Sequence, residues 1–221
     1  MGNLKTMLKE EFTRNKYTDF LDNRDYDLKN HYELAPKVKL DINPDDWFEF
    51  MEKNWYTGLT MHYEPRHNLD ATSNEQVEVA NRYGYHSGNT LKRDWGKNNP
   101  NHDEQFKEML GRSNFDRIGM DPATSMVRLL CFTPGNILPV HWDGFEGWEA
   151  KYPDIKGKTP MRYIGFISPW SYGQYLQVHD NFITNWEPGD LYKVPAGVLH
   201  NSGNGGIVPK VTVTFTGLID E

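Results

Sequence analysis

Apolar and polar positions alternate most regularly near the end of the chain. Lys210, Thr212, Thr214 and Thr216 fall on one side, and Val211, Val213 and Phe215 on the other. A period of two is that of a strand with two different faces, and the spacing predicts a strand over 208–217. Other short runs of β-forming residues precede it: 126–133, 162–168, 175–178, 182–186 and 191–194, each closed by turn residues such as Pro134-Gly135 and Pro169. Several short strands within about 100 residues suggest a sandwich or barrel. The first 120 residues follow a different pattern. Leu4, Met7, Leu8 and Phe12 have helical spacing. Asn43-Pro44-Asp45-Asp46 reads as a helix start for 47–55: a side-chain cap, a proline at the first position, and two carboxylates at the positive end of the dipole. Residues 103–110 predict another helix, ended by Gly111. Residues 64–101 are polar, rich in Asn, Gly and His, and predict no element; such a stretch can supply substrate-binding loops.

Charge sharpens this division. Of the 24 Lys and Arg, 17 lie in the first 120 residues, as do 21 of the 31 Asp and Glu. The break near residue 120 is not rich in Ser or Pro, so the expectation is one domain over 1–221. In it, a helical and loop-rich part (1–120) packs on a β core (121–221). A net charge of -7 argues against a nucleic-acid binder. Mean hydropathy is -0.76 and no apolar run approaches a membrane span, so no membrane partner is expected. The N-terminus lacks the apolar core of a secretory signal, and Cys131 is the sole cysteine, so neither an internal disulfide nor a thiolate zinc finger can form. A reducing cytoplasm fits both features. Cys131 lies in an apolar run and reads as a small core residue.

The candidate chemistry begins at His141 and Asp143. Two positions apart on a strand, they would project an imidazole and a carboxylate together, half of a divalent metal site. A second imidazole would complete a facial triad with open positions for iron, and His200 is the best candidate. The remaining histidines, 31, 62, 67, 86, 102 and 179, show no ligand spacing and read as surface or ordinary hydrogen-bonding residues. Lys210 follows ten residues after His200 and opens the polar face of the last strand. A lysine there suits a buried anion such as a carboxylate, with Thr212 adding a hydroxyl; the bland alternative is a surface lysine at a strand end.

Around His200 the chain resembles the second cupin motif, G-x5-P-x-G-x2-H-x3-N, filled by Gly189, Pro195, Gly197, His200 and Asn204. Gly135, six positions before His141, fits a variant of the first motif. With Lys210 in place, residues 121–221 resemble the Fe(II)/2-oxoglutarate-dependent dioxygenases, which carry H-x-D…H on a double-stranded β-helix. The resemblance implies a mainly β fold, a double-stranded β-helix of jelly-roll or cupin type, with N-terminal helices packed outside it. It implies iron on His141, Asp143 and His200, and the far carboxylate of 2-oxoglutarate on Lys210, with Thr212. Arg162 resembles the arginine that opens a core strand in prolyl-hydroxylase-like and aspartyl/asparaginyl-hydroxylase-like members, either a co-substrate contact or an ion pair with a core carboxylate. Arg128 reads as a structural partner. Trp142, Trp148, Trp170 and Tyr172 either line a substrate mouth or pack the barrel rim.

The expected activity is therefore hydroxylation of an amino-acid or peptidyl substrate, with dioxygen consumed and succinate and CO2 released. Tyr172-Gly173-Gln174-Tyr175-Leu176 departs from the prolyl-hydroxylase-like pattern, and Asp143 departs from the aspartyl branch, so the prime substrate stays open. The alternatives are a metal-dependent cupin of another activity (a cofactor-independent dioxygenase or an isomerase), which has no use for Lys210, and a non-catalytic binding module.

Overall fold

The computed structural model describes residues 32–61, 92–96, 99–143, 145, 148, 151–152 and 157–220. The chain divides into two compact units, Met1–Tyr32 and Glu33–Glu221, and every element below belongs to the second. The helix expected at 4–12, most of the loop-rich stretch 64–101, and His31, His62, His67 and His86 lie outside the described residues.

Eight strands build the core: β4 (Met126–Phe132), β5 (Asn136–His141), β6 (Lys158–Phe166), β7 (Gln174–Val178), β8 (Asn181–Ile183), β9 (Asp190–Pro195), β10 (His200–Asn204) and β11 (Lys210–Asp220). Three earlier strands, β1 (Val38–Lys39), β2 (Leu59–Met61) and β3 (Lys92–Trp95), extend one sheet at its edges. The larger sheet runs β1-β9-β6-β11-β4-β3-β2, and the smaller β5-β10-β7-β8. Apart from the β7–β8 hairpin, each successive core strand changes sheet. All the pairings are antiparallel. This winding is the double-stranded β-helix that the sequence leads one to expect.

The central strand β11 decides where the core sits. It pairs with β4 on one side and β6 on the other. Val211, Val213 and Phe215 point to the outer side of the sheet, where they join Leu129, Cys131, Met161 and Tyr163. Two helices cover that face: α1 (Pro44–Lys53) through Trp47, Phe50 and Met51, and α2 (Pro100–Ile118) through Phe106, Leu110, Phe115 and Ile118. Helix α1 starts as expected, with the Asn43 side chain accepting from the Asp45 N–H and Lys53 in the last turn. Helix α2 starts earlier than its apolar pattern suggests, at Asn99-Pro100, because the same capping device recurs there. Gly111 does break the helix, with φ 68° and ψ 159°, but helical backbone resumes beyond it to Ile118.

At the end of the smaller sheet, the turn before β7 approaches the turn after β10. Gly173 has φ 86°, and an added Cβ would lie 2.6 Å from the Gly206 nitrogen and 2.7 Å from the Gly205 carbonyl carbon. Backbone, not a movable side chain, closes this space. No helix among the described residues is long and apolar enough to cross a membrane. Gly173→Ala combines a left-handed backbone with a backbone clash, and is expected to cost about 2 kcal/mol or more. Thermal unfolding should show a melting temperature several degrees lower, with metal affinity at the distant triad unchanged.

Candidate metal centre

Strands β5 and β10 place the two histidines. His141 and His200 are direct cross-strand partners, and their rings lie 4.2 Å apart between centroids. The pairing requires an irregularity. Ser202 opposes Leu138 while His200 opposes His141, so β5 fits one extra residue between two matched pairs. Such a bulge re-aims a side chain, and here it turns His141 onto the face that Leu138 already occupies.

Asp143 reaches the same place differently from the expected two-residue step along a strand. Strand β5 ends at His141, so Asp143 stands in the loop beyond it. Its backbone carbonyl accepts from the Gly197 N–H at 3.2 Å, which ties this loop to the turn before His200. Gly197 can make that bond because its φ of 73° suits glycine. Asp143 Oδ2 lies 3.3 Å from His200 Nε2. One donor atom from each of His141, Asp143 and His200 falls within 4.8 Å of the others, so the group can hold a metal ion.

The tautomer of His200 suits that role. Its Nδ1–H donates to the Val198 carbonyl at 3.0 Å, which leaves the Nε2 lone pair facing Asp143. A carbonyl that fixes one ring nitrogen is a common support for a metal-binding imidazole. Burial alone would push the Asp143 carboxyl up, but the Arg162 guanidinium beside it outweighs this and holds it well below the usual range. Two imidazoles and one carboxylate are the donor set suited to a divalent transition metal such as iron.

Arg162 lies on β6 opposite Thr216, and its side chain bridges two groups. Its Nε donates to Thr216 Oγ1 at 3.1 Å, and its Nη1 donates to Asp143 Oδ2. Of the two roles the sequence leaves open for Arg162, the ion pair with a core carboxylate is the one observed. Arg128 pairs with the buried Asp94 of β3, as a structural partner would.

Lys210 opens β11 and is fully buried. The surface alternative is thereby removed. Its ammonium crosses to the smaller sheet, donating to the Tyr175 carbonyl and to Ser202 Oγ. Three rings surround it, those of Trp186, Phe132 and Phe166, at 5.2, 5.5 and 5.7 Å. No carboxylate pairs with it among the described residues. Burial pulls its pKa down to about 7. Thr212, next on the same face, is buried as well. Ser202 was not foreseen as a site residue, although its position two after His200 puts both side chains on one strand face.

The neighbouring motif residues have structural work. Asn204 is completely buried and donates to the Phe132 and Val208 carbonyls at 2.8 Å each, which closes the β10–β11 turn and ties it to the end of β4. Cys131 sits in the outer core, where burial pushes its thiol up to about 12. His102 is buried rather than on the surface and takes a hydrogen bond from Asn99 at 3.1 Å. His179 bonds the adjacent Asp180 at 2.8 Å. Trp148 donates to the Thr124 carbonyl at 3.1 Å, and Trp170 to that of Gln174 at 2.8 Å; Tyr172 is exposed.

No protein-family model matches the sequence, and no curated protein matches it. Among solved structures the chain is similar to cupin and double-stranded β-helix proteins at low identity. One is a cupin protein from Bacteroides fragilis (12% identity over 42% of this chain and 65% of that one, TM-score 0.31). Another is a protein with a double-stranded β-helix domain from Klebsiella pneumoniae (16%, 44% and 76%, TM-score 0.30). A third is a salicylate 1,2-dioxygenase from Pseudaminobacter salicylatoxidans (10%, 42% and 21%, TM-score 0.29). The match thus spans less than two thirds of the Bacteroides protein and about a fifth of the dioxygenase.

Burying Lys210 without a counter-charge has a measurable cost. The group titrates near 7 in the folded protein and near 10.5 in an unfolded chain, so between those values the unfolded chain holds more protons. Its contribution to stability therefore rises with pH across that window, and the cost is greatest at and below about pH 7. Lys210→Met should stabilise the metal-free protein by about 1–3 kcal/mol at pH 7. Urea unfolding should show this gain shrinking as the pH approaches 10.

Proposed function

We propose that the protein is a 2-oxoglutarate-dependent dioxygenase. His141, Asp143 and His200 hold Fe(II), and Lys210 with Thr212 holds the far carboxylate of 2-oxoglutarate. The observation that carries this reading is the buried ammonium of Lys210, with no carboxylate to pair with among the described residues. A buried cation calls for an anion, and its position relative to the triad sets the anion's size. Ser202 Oγ, which receives the Lys210 ammonium, is two residues along β10 from His200, on the order of 7 Å. A short dicarboxylate bound by one end to a metal on the triad would reach that ammonium with the other.

The donor set fits Fe(II): three protein ligands on one side leave positions for a chelating keto acid and dioxygen. When bound, the metal supplies oxidative decarboxylation of the keto acid to succinate and CO2, with the second oxygen atom entering a C–H bond of the substrate. The chain's own contribution is placement. The carbonyl of Val198 keeps His200 Nε2 unprotonated towards the metal position. Arg162 holds the Asp143 carboxylate from behind. The rings of Phe132, Phe166 and Trp186 shield Lys210 from water, which strengthens its attraction for an anion. Thr216, the cross-strand partner of Arg162, stands six residues from Lys210 on β11, about 20 Å along the strand. We therefore assign Arg162 to the metal end and leave the far carboxylate to Lys210 and Thr212. The prime substrate is an amino acid or a peptidyl side chain in this reading.

The test is an anaerobic titration of metal-free protein with Fe(II) and then 2-oxoglutarate, followed by the visible charge-transfer band of an iron–keto-acid chelate. The band should form, and His141→Ala should abolish it. Lys210→Ala should raise the half-saturating 2-oxoglutarate concentration at least tenfold while Fe(II) affinity stays unchanged. Because Lys210 titrates near 7, wild-type affinity for the keto acid should fall as pH rises above that value, and Lys210→Met should lose this dependence. Iron binding without a band would leave a metal-dependent cupin of another activity.

A further inference from the structure

Arg162 is held on two edges and open on a third. Its Nε is engaged by Thr216 and its Nη1 by Asp143. The Nη2 amino group, with two N–H donors, finds no protein acceptor among the described residues. The side chain is 18% exposed, so this edge stays within reach of a ligand. The Phe145 ring lies 5.8 Å from the guanidinium carbon and blocks another approach. A rigid guanidinium with an open amino edge beside a reaction centre is suited to a planar anion, since both N–H groups point from a fixed frame.

Charge leads to the same conclusion. This step rests on the co-substrate reading above. A divalent metal, a dianionic keto acid, Asp143, Lys210 and Arg162 together leave a single positive charge over, and the Arg128–Asp94 pair is neutral and adds none. An interior walled by apolar side chains favours charges that sum to zero. The excess belongs to the metal end, which Arg162 adjoins, because the charge of Lys210 is met by the keto acid.

We infer that the prime substrate carries a carboxylate, and that the open Nη2 edge of Arg162 binds it next to the metal. Arg162 thereby joins two tasks. One edge orients the Asp143 carboxylate, and the other orients the substrate relative to it. A substrate without an anionic group would cover the guanidinium edge without pairing it, a larger penalty than the loss of one hydrogen bond. Recognition would therefore discriminate strongly against amides and esters of the same molecule.

The test uses acetate as the probe and acetamide as its neutral counterpart, each titrated anaerobically into protein saturated with Fe(II) and 2-oxoglutarate. Acetate should shift the charge-transfer band saturably, and acetamide should not. In Arg162→Gln, with Fe(II) still saturating, the band should form and the acetate response should weaken at least tenfold. Arg162→Lys, which keeps the charge, should recover part of it. A band that ignores acetate overturns the inference, as does an equal response to acetamide or an undiminished response in Arg162→Gln, which would indicate direct ligation to iron. If Arg162→Gln loses the band with its hold on Asp143, Arg162→Lys, which keeps that ion pair, is read instead, and an undiminished acetate response there overturns the inference. No band in the wild-type protein would instead remove the co-substrate reading, and with it the charge balance on which the inference stands.

Discussion

Strand β11 lies between β4 and β6, and its alternation forces the molecule to maintain two different interiors. One face is Val211, Val213 and Phe215, which must be kept from water. The other is Lys210, Thr212, Thr214 and Thr216, all buried, which must be given polar partners. A single sheet cannot meet both demands. Helices α1 and α2 cover the apolar face, and the smaller sheet closes over the polar one. The winding of the chain between sheets follows from this, because each pass across the gap adds another strand to the lid over the polar row. The metal-binding group and the buried lysine are both products of that closure: His141 and His200 come from the smaller sheet, while Lys210 comes from the larger one.

The polar row is not equally satisfied along its length. At one end, Thr216 and Arg162 support a carboxylate that neutralises the guanidinium charge. At the other, the Lys210 ammonium donates to neutral oxygens of Ser202 and Tyr175 and meets no carboxylate among the described residues. Neutral acceptors offset part of the cost of burying an ammonium and leave its charge uncompensated. A protein selected for stability alone would do better with methionine there. The stability that Lys210 forfeits is the counterpart of its use: a group already stripped of water gains more from an arriving anion than a hydrated one would. On the proposed reading, the same surroundings that lower its pKa call for an anion from outside the fold.

Much of this could be read from the residues, and the parts that could not have identifiable causes. The two-faced pattern of 208–217 foretold β11 because alternation over seven positions has no helical counterpart. Strand β10 escaped notice since Asn201-Ser202-Gly203-Asn204 has poor intrinsic strand character. It exists because β5 and β7 pair with it on both sides, and Gly203 is required there because the Tyr175 ring occupies the space of a Cβ, 2.5 Å away. The short strands β1 and β3 carry charges and β2 has only three residues, too short for a pattern, so only tertiary pairing defines them. At the site, the three metal-ligand candidates were visible as residue types at a spacing, but the stated route was incomplete. A two-residue step on a straight strand would not bring Asp143 to His200. A bulge in β5 and the bond from Gly197 do so, and neither leaves a mark in the spacing. Arg162 was visible as a cation at a strand start, while its partner depended on which strands become neighbours.

The placement of Asp143 in a loop rather than on β5 affects how the centre responds to what binds it. The histidines are fixed by strand pairing and cannot move without breaking the ladder between β5 and β10. The carboxylate has no such ladder; among the described residues its loop is tied by the Gly197 N–H to its backbone and by the Arg162 guanidinium to its side chain, beside His200. Of the three ligand candidates, Asp143 is therefore the adaptable one. Any ligand that draws on the open edge of Arg162 also pulls on the group that steadies Asp143. On the reading proposed above, substrate binding and metal geometry are coupled through one side chain, without a larger conformational change. Such coupling runs in both directions: a metal that draws Asp143 inwards would draw the guanidinium with it, and so shape the edge presented to the substrate.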